Sequence, residues 1–133
     1  MSDSKSRPLV LLAEDDVSMK ELGVVILEEY GCEVIAVPDA QMALEVAYLH
    51  PSLHLIISDV VMPGPISGYA MACELRKKQI TVPIILVSGW PELPGELPAH
   101  TKFLVKPYTL ESFFETLDEV LKPNQGPVQA TDV

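Results

Sequence analysis

Residues 9–16 read LVLLAEDD: five apolar side chains in succession, then Glu14, Asp15 and Asp16. An apolar run without alternation suits a strand whose sheet is covered on both faces, the usual situation of a parallel sheet. The acids that end it repel one another and lose hydration if covered, so their crowding asks for a cation. Working outward, similar runs rich in Val, Ile and Leu recur. Together they predict strands over 8–13, 32–37, 53–58, 82–88 and 102–105.

Between these runs the period becomes helical. Met19, Leu22, Val25, Ile26 and Tyr30 form a stripe over 18–30, and Gly31 stands where a C-cap belongs. Asp39 caps a helix over 40–49 that Pro51 stops, and residues 67–78 make a third. Thr109 caps a last helix, ended by Pro123, that points Leu110, Phe113, Phe114, Leu117 and Leu121 inward. The order β-α-β-α-β-α-β-x-β-α predicts right-handed crossovers and a doubly wound α/β sheet. Segment x, WPELPGELPAH at 90–100, carries three prolines and a glycine, which predicts a loop or at most one turn.

The chain has 133 residues, is 48% hydrophobic and 21% charged, and so holds one domain with a real core. We expect an extension at 1–7, the domain at 8–122 and a disordered polar tail at 123–133. Nine basic residues against nineteen acidic ones give a net charge of −10, which repels phosphate backbones and argues against nucleic-acid binding. Arg76, Lys77 and Lys78 form the one basic cluster, expected to be solvated and to complement a helix C-terminus. No apolar run is long enough to span a bilayer, so no membrane partner is expected. The opening MSDSKSRP has no signal-peptide core behind it, which predicts a cytoplasmic protein. Cys32 and Cys73 read as two buried, reduced thiols.

In open α/β sheets the chemistry gathers beyond the carboxyl ends of the strands. There the first strand delivers Glu14, Asp15 and Asp16, the third Asp59, the fourth Ser88 and the fifth Lys106. An all-oxygen donor set without imidazole or thiolate suits Mg²⁺ or Mn²⁺. Such an ion with an ammonium and a hydroxyl is equipment for holding a phosphoryl group, and a carboxylate can receive one. Taken alone, an Asp after a strand is most often a cap or turn residue, Ser88-Gly89 a turn and Lys106-Pro107 a solvated lysine. Asp16 is read as only a cap of the first helix. His50, His54 and His100 form no common site. The ordered joint occurrence favours the functional reading.

In register, LLAEDD, IISDVVMPG, ILVSG and FLVKPY resemble the receiver domain of two-component response regulators, over about residues 8–122. The resemblance implies a flavodoxin-like five-stranded sheet of order 2-1-3-4-5, here with the helix between the last two strands shortened or absent. It implies that Asp59 accepts a phosphoryl group from the phosphohistidine of a histidine kinase or histidine phosphotransfer protein. Asp15, Asp59 and the Val61 backbone carbonyl would bind Mg²⁺, with Glu14 acting through water. Lys106 would pair with a phosphoryl oxygen and Ser88 would hydrogen-bond another. Ser88 and Phe103 would form the switch, changing the surface read by a downstream protein. Such a domain is no enzyme toward other substrates, since it catalyses only its own phosphorylation and dephosphorylation.

Some features depart from the common pattern. The turn VVMPGPISG is one residue longer than usual, resembling receivers associated with hybrid histidine kinases. Val61 and Trp90 flank the pocket where a polar residue could orient water, which predicts slow hydrolysis of the phosphoryl group. A haloacid dehalogenase-like phosphatase also uses an aspartyl phosphate with Mg²⁺, but wants an Asp where Val61 stands, and a cap domain. A receiver-like scaffold that is never phosphorylated is the remaining alternative.

Overall fold

The structure, a computed structural model, describes residues 7–121. Strands β1 (Leu9–Ala13), β2 (Glu33–Val37), β3 (Leu55–Asp59), β4 (Ile84–Ser88) and β5 (Thr101–Val105) alternate with helices α1 (Val17–Tyr30), α2 (Ala40–Leu49) and α3 (Gly68–Lys77), and α4 (Leu110–Leu121) follows β5. All four strand pairings are parallel and the order is β2-β1-β3-β4-β5. The central strands β1, β3 and β4 are buried almost throughout, as a run without alternation requires, whereas the edge strands β2 and β5 are not.

Because successive strand residues face opposite sides, the core divides in two. Leu11, Ile56, Ile84 and Leu86 pack with α2 and α3, while Val10, Leu12, Ile57 and Val87 pack with α1 and α4. Helix starts are set by local chemistry. Asp16, Asp39 and Ser67 accept from the N–H groups of Met19, Met42 and Ala70 at 2.9, 2.8 and 2.9 Å, and Thr109 accepts from Ser112 at 2.9 Å. Gly31, at φ 115°, closes α1 in the left-handed conformation.

Several expectations need correction. The α1 stripe is not the buried one: Met19, Leu22 and Val25 are half exposed, and the helix seats itself through Gly23 and Leu27, with Ile26 and Tyr30 partly covered. A Cβ at Gly23 would lie 2.9 Å from Leu12 Cδ2, so the missing side chain lets α1 approach β1 there. Leu110 is exposed, unlike Phe113 and Leu117. Cys32 is buried but Cys73 only partly, and both are free thiols.

Arg76 is not solvated. Its guanidinium donates to the carbonyls of Ala99 (2.7 Å), Ile80 (2.7 Å), Val82 (2.8 Å) and His100 (3.2 Å). Residues 89–100 contain no helix, as the prolines predicted, and Arg76 fastens the end of this segment to α3. Tyr69, two turns earlier, donates to the Glu96 carbonyl at 2.7 Å, with Gly95 too close beside it for a side chain. Lys77 and Lys78 do remain exposed, within 3.9 and 3.8 Å of Glu74. The expected tail, Pro123 and most of the expected extension lie outside the described residues. No helix among the described residues is long and apolar enough to cross a membrane.

Candidate functional site

The strand pairing brings the reactive ends to one rim. Ala13 lies beside Ser58, Asp59 beside Val87 and Ser88 beside Val105. Glu14, Asp59 and Lys106 come two residues after Leu12, Ile57 and Leu104, all of which face α1 and α4. By the two-residue period, the three polar side chains therefore emerge on the same side. Backbone bonds fix the rim: Glu14 N–H to the Val37 carbonyl (3.0 Å), Val60 N–H to Val87 (2.8 Å) and Lys106 N–H to Ser88 (2.7 Å). The Lys106–Pro107 peptide is cis.

Glu14, Asp15 and Asp59 each offer a carboxylate oxygen, and these oxygens lie within 4.8 Å of one another. Lys106 Nζ is 3.3 Å from Asp59 Oδ1. Burial pushes the Asp59 carboxyl up from its ordinary value; Lys106 pulls it down and Asp15 adds to the rise. Glu14 is likewise raised, first by burial and then by Asp59, against a hydrogen bond from the Asp16 backbone N–H at 3.2 Å. Both rises are led by burial, and the cluster sets three carboxylates against the one ammonium of Lys106. Hard, all-oxygen donors short of positive charge are a fitting place for Mg²⁺ or Mn²⁺.

The remaining residues stand around this cluster. Asp16 faces the first turn of α1 and acts as its cap. Ser88 is buried, and its Oγ accepts from the Trp90 N–H at 2.9 Å. Phe103 is partly buried on the α2/α3 side, against the same core as Tyr69 and Leu93. Val61 and Trp90 are 71% and 72% exposed, so in this conformation neither side chain is packed away. Residues 60–67 form the long turn after Asp59, in which Gly64 takes a positive φ of 108°. Of the histidines, His54 is occupied elsewhere: its Nδ1 accepts from the Leu9 N–H at 3.0 Å.

The sequence reading passed over Gly68 and Tyr69, and took Arg76 for a solvated charge. Gly68 closes the Asp59 turn by donating its N–H to the Val60 carbonyl at 2.9 Å. A Cβ there would fall 1.9 Å from the Asp59 carbonyl oxygen and 2.5 Å from Ser58 Oγ. The one available signal was a glycine straight after the cap residue Ser67. Tyr69 and Arg76 sit seven residues apart, a spacing that puts both on one helix face, but nothing local named the loop they would hold.

The sequence matches the family described as the response regulator receiver domain over residues 10–118. It is 34% identical to the sensor kinase CckA of Brucella abortus over 126 residues, covering 91% of this chain and 13% of that protein. The chain spans about half the length of the other first curated relatives it matches. Among solved structures, the receiver domain of the hybrid histidine kinase CckA superposes with a TM-score of 0.72 at 28% identity, covering 85% of this chain and 98% of that one. The response regulator TrrA of Thermotoga maritima, in complex with Mg²⁺–BeF, superposes with a TM-score of 0.74 at 27% identity, covering 86% and 99%. These likenesses support a phosphoacceptor function and give none to the phosphatase alternative. With four strand ends converging on one acidic rim and the family match spanning most of its length, the chain belongs to the response regulator receiver domain family.

Proposed function

We propose that Asp59 is the phosphoacceptor of this receiver, charged from a phosphohistidine of a histidine kinase or a histidine phosphotransfer protein. The observation that carries the reading is Lys106 Nζ at 3.3 Å from Asp59 Oδ1, within a cluster whose carboxylate oxygens lie inside 4.8 Å. An Asp59 oxygen attacks phosphorus, the donor's N–P bond breaks, and its electrons return to the imidazole nitrogen, which takes up a proton. Lys106 holds Asp59 in place and then meets the added negative charge on the phosphoryl oxygens. Asp15, Asp59 and the Val61 carbonyl would hold Mg²⁺, with Glu14 acting through water. The ion supplies charge neutralisation for a group entering an already acidic pocket.

Ser88 Oγ accepts from Trp90, so its hydroxyl hydrogen is free to turn toward a new phosphoryl acceptor. That turn would disturb residues 89–100 and, through Leu93, the packing around Phe103. The domain at 8–122 would thus signal by protein–protein contact. Its free thiols fit a reducing, cytoplasmic setting. The exposed side chains of Val61 and Trp90 offer no acceptor or base to orient an attacking water, since the indole N–H only donates, consistent with a long-lived phosphoryl group.

The test is incubation with Mg²⁺ and acetyl phosphate, followed by intact mass. One phosphoryl increment should appear and vanish in Asp59→Asn. No increment in the unaltered chain would leave a receiver-like scaffold instead. Trp90→Glu should shorten the lifetime of the label; an unchanged decay would refute the reading that the lack of a water-orienting group at this position slows hydrolysis.

A further inference from the structure

Strand β3 carries a hydroxyl that its packing does not call for. Ser58 is buried between Ala13 of β1 and Leu86 of β4, and it follows Ile56 on the α2/α3 side of the sheet. A hydroxyl covered by apolar neighbours costs free energy unless it is hydrogen-bonded, and alanine would fill nearly the same space without that cost. Ser58 gives its one donor to the carbonyl of the next residue, Asp59, at 2.8 Å.

That carbonyl lies past the end of the β1–β3 pairing, which stops at Ala13 and Ser58. The start of α3 closes over it: a Cβ on Gly68 would fall 1.9 Å from the Asp59 oxygen and 2.5 Å from Ser58 Oγ. At the other end of the same peptide, the Val60 N–H donates to the Val87 carbonyl at 2.8 Å. A peptide unit is planar, so one bond at its oxygen and one at its N–H together fix its plane. That plane sets the ψ angle of Asp59, and the rotamers open to a side chain depend on its backbone angles. The 3.3 Å approach of Asp59 Oδ1 to Lys106 Nζ belongs to one of those rotamers.

We propose that Ser58 is a positioning residue for phosphotransfer: through the Asp59 carbonyl, its hydroxyl fixes the peptide that aims the Asp59 carboxylate along Lys106. Ser58 touches neither the phosphoryl group nor its donor. Its effect on rate rests on the phosphoacceptor reading, but its hold on Asp59 exists without phosphate. A nucleophile misplaced by about 1 Å loses on the order of a hundredfold in rate, so a loosened one should lose a measurable part of that.

The experiment compares the unaltered chain with Ser58→Ala and Ser58→Thr, each at a temperature where circular dichroism finds it folded. Labelling by acetyl phosphate with Mg²⁺ should slow by about tenfold in Ser58→Ala and recover in Ser58→Thr, which keeps the hydroxyl. Without phosphate or metal, three-bond NMR couplings about the Asp59 Cα–Cβ bond should report one rotamer in the unaltered chain and in Ser58→Thr, and an average in Ser58→Ala. Leu27→Ala, destabilised on the other side of the sheet, should label at the unaltered rate, which separates aim from stability. Labelling of Ser58→Ala at the unaltered rate, a single Asp59 rotamer in that variant, a Ser58→Thr as slow as Ser58→Ala, or equal slowing in Leu27→Ala would each overturn the proposal. If the unaltered chain takes no label, the phosphoacceptor reading fails instead, and the couplings still decide whether Ser58 holds Asp59.

Discussion

The two sides of the sheet are finished in different ways. On the α2/α3 side a chain segment without any helix is fastened down by two residues of α3. Arg76 reaches four carbonyls, Tyr69 reaches a fifth, and Leu93 packs onto the core. On the α1/α4 side two regular helices are present, joined at one end where Tyr30 meets Phe114 and Asp118, yet they leave a cleft toward the acidic rim. Regular secondary structure is therefore no measure of how well a face is closed. Closure follows from where donors and apolar anchors fall, and here the irregular side is the better secured.

The comparison also separates two tasks. Glu14, Asp59 and Lys106 continue the strand register of the open side, where access is needed. Ser88 comes two residues after Leu86 of the α2/α3 side, where Phe103 also packs, and its Oγ accepts from the N–H of Trp90 in the fastened segment.

Substitutions can break the contrast or sharpen it. Gly68→Ala should do the most harm, losing more than about 3 kcal/mol, because its Cβ meets the backbone of Asp59 and nothing flexible can yield. Urea unfolding measures the loss, and acetyl phosphate labelling should fail with it. On the open side Leu27→Ala should cost about 3 kcal/mol, since Leu27 is the one fully covered side chain of α1. Arg76→Met should cost about 2 kcal/mol by stranding carbonyls that share a charged donor. Hydrogen exchange should then rise in 89–100 and in the turn before β4, while α1 keeps its protection. Uniform exchange across both sides would mean that Arg76 is not what closes the segment. Val25→Ser should change stability by less than about 0.5 kcal/mol, because its side chain is 54% exposed. A loss near that of Leu27→Ala would mean that the α1 stripe is covered in solution.

Much of this molecule was legible in the chain. Unalternating apolar runs gave the parallel strands, and Asp16, Asp39, Ser67 and Thr109 carried their caps in plain view. The acids, serine and lysine after the first, third, fourth and fifth strands pointed to one rim, because a parallel sheet necessarily collects its carboxyl ends on one edge. The missing helix followed from the prolines of WPELPGELPAH. These features are local, so period, cap chemistry and missing backbone donors decide them without reference to distant residues.

Other features depended on partners far along the chain. Helix α1 is apolar around much of its circumference, so its pattern admitted more than one buried face. The choice was made by the fit of Gly23 over Leu12. Arg76 looked like the first of three solvated charges, and became a fastening only because Ile80, Val82, Ala99 and His100 turn their carbonyls toward it. Gly68 read as an ordinary helix start until the Asp59 carbonyl lay where its side chain would be. The sequence by itself determined which elements form and which chemistry reaches the rim, since both rest on short-range period and strand order. Tertiary structure alone decided which faces close and which stay open, because that depends on steric and hydrogen-bond matches between segments the chain keeps apart.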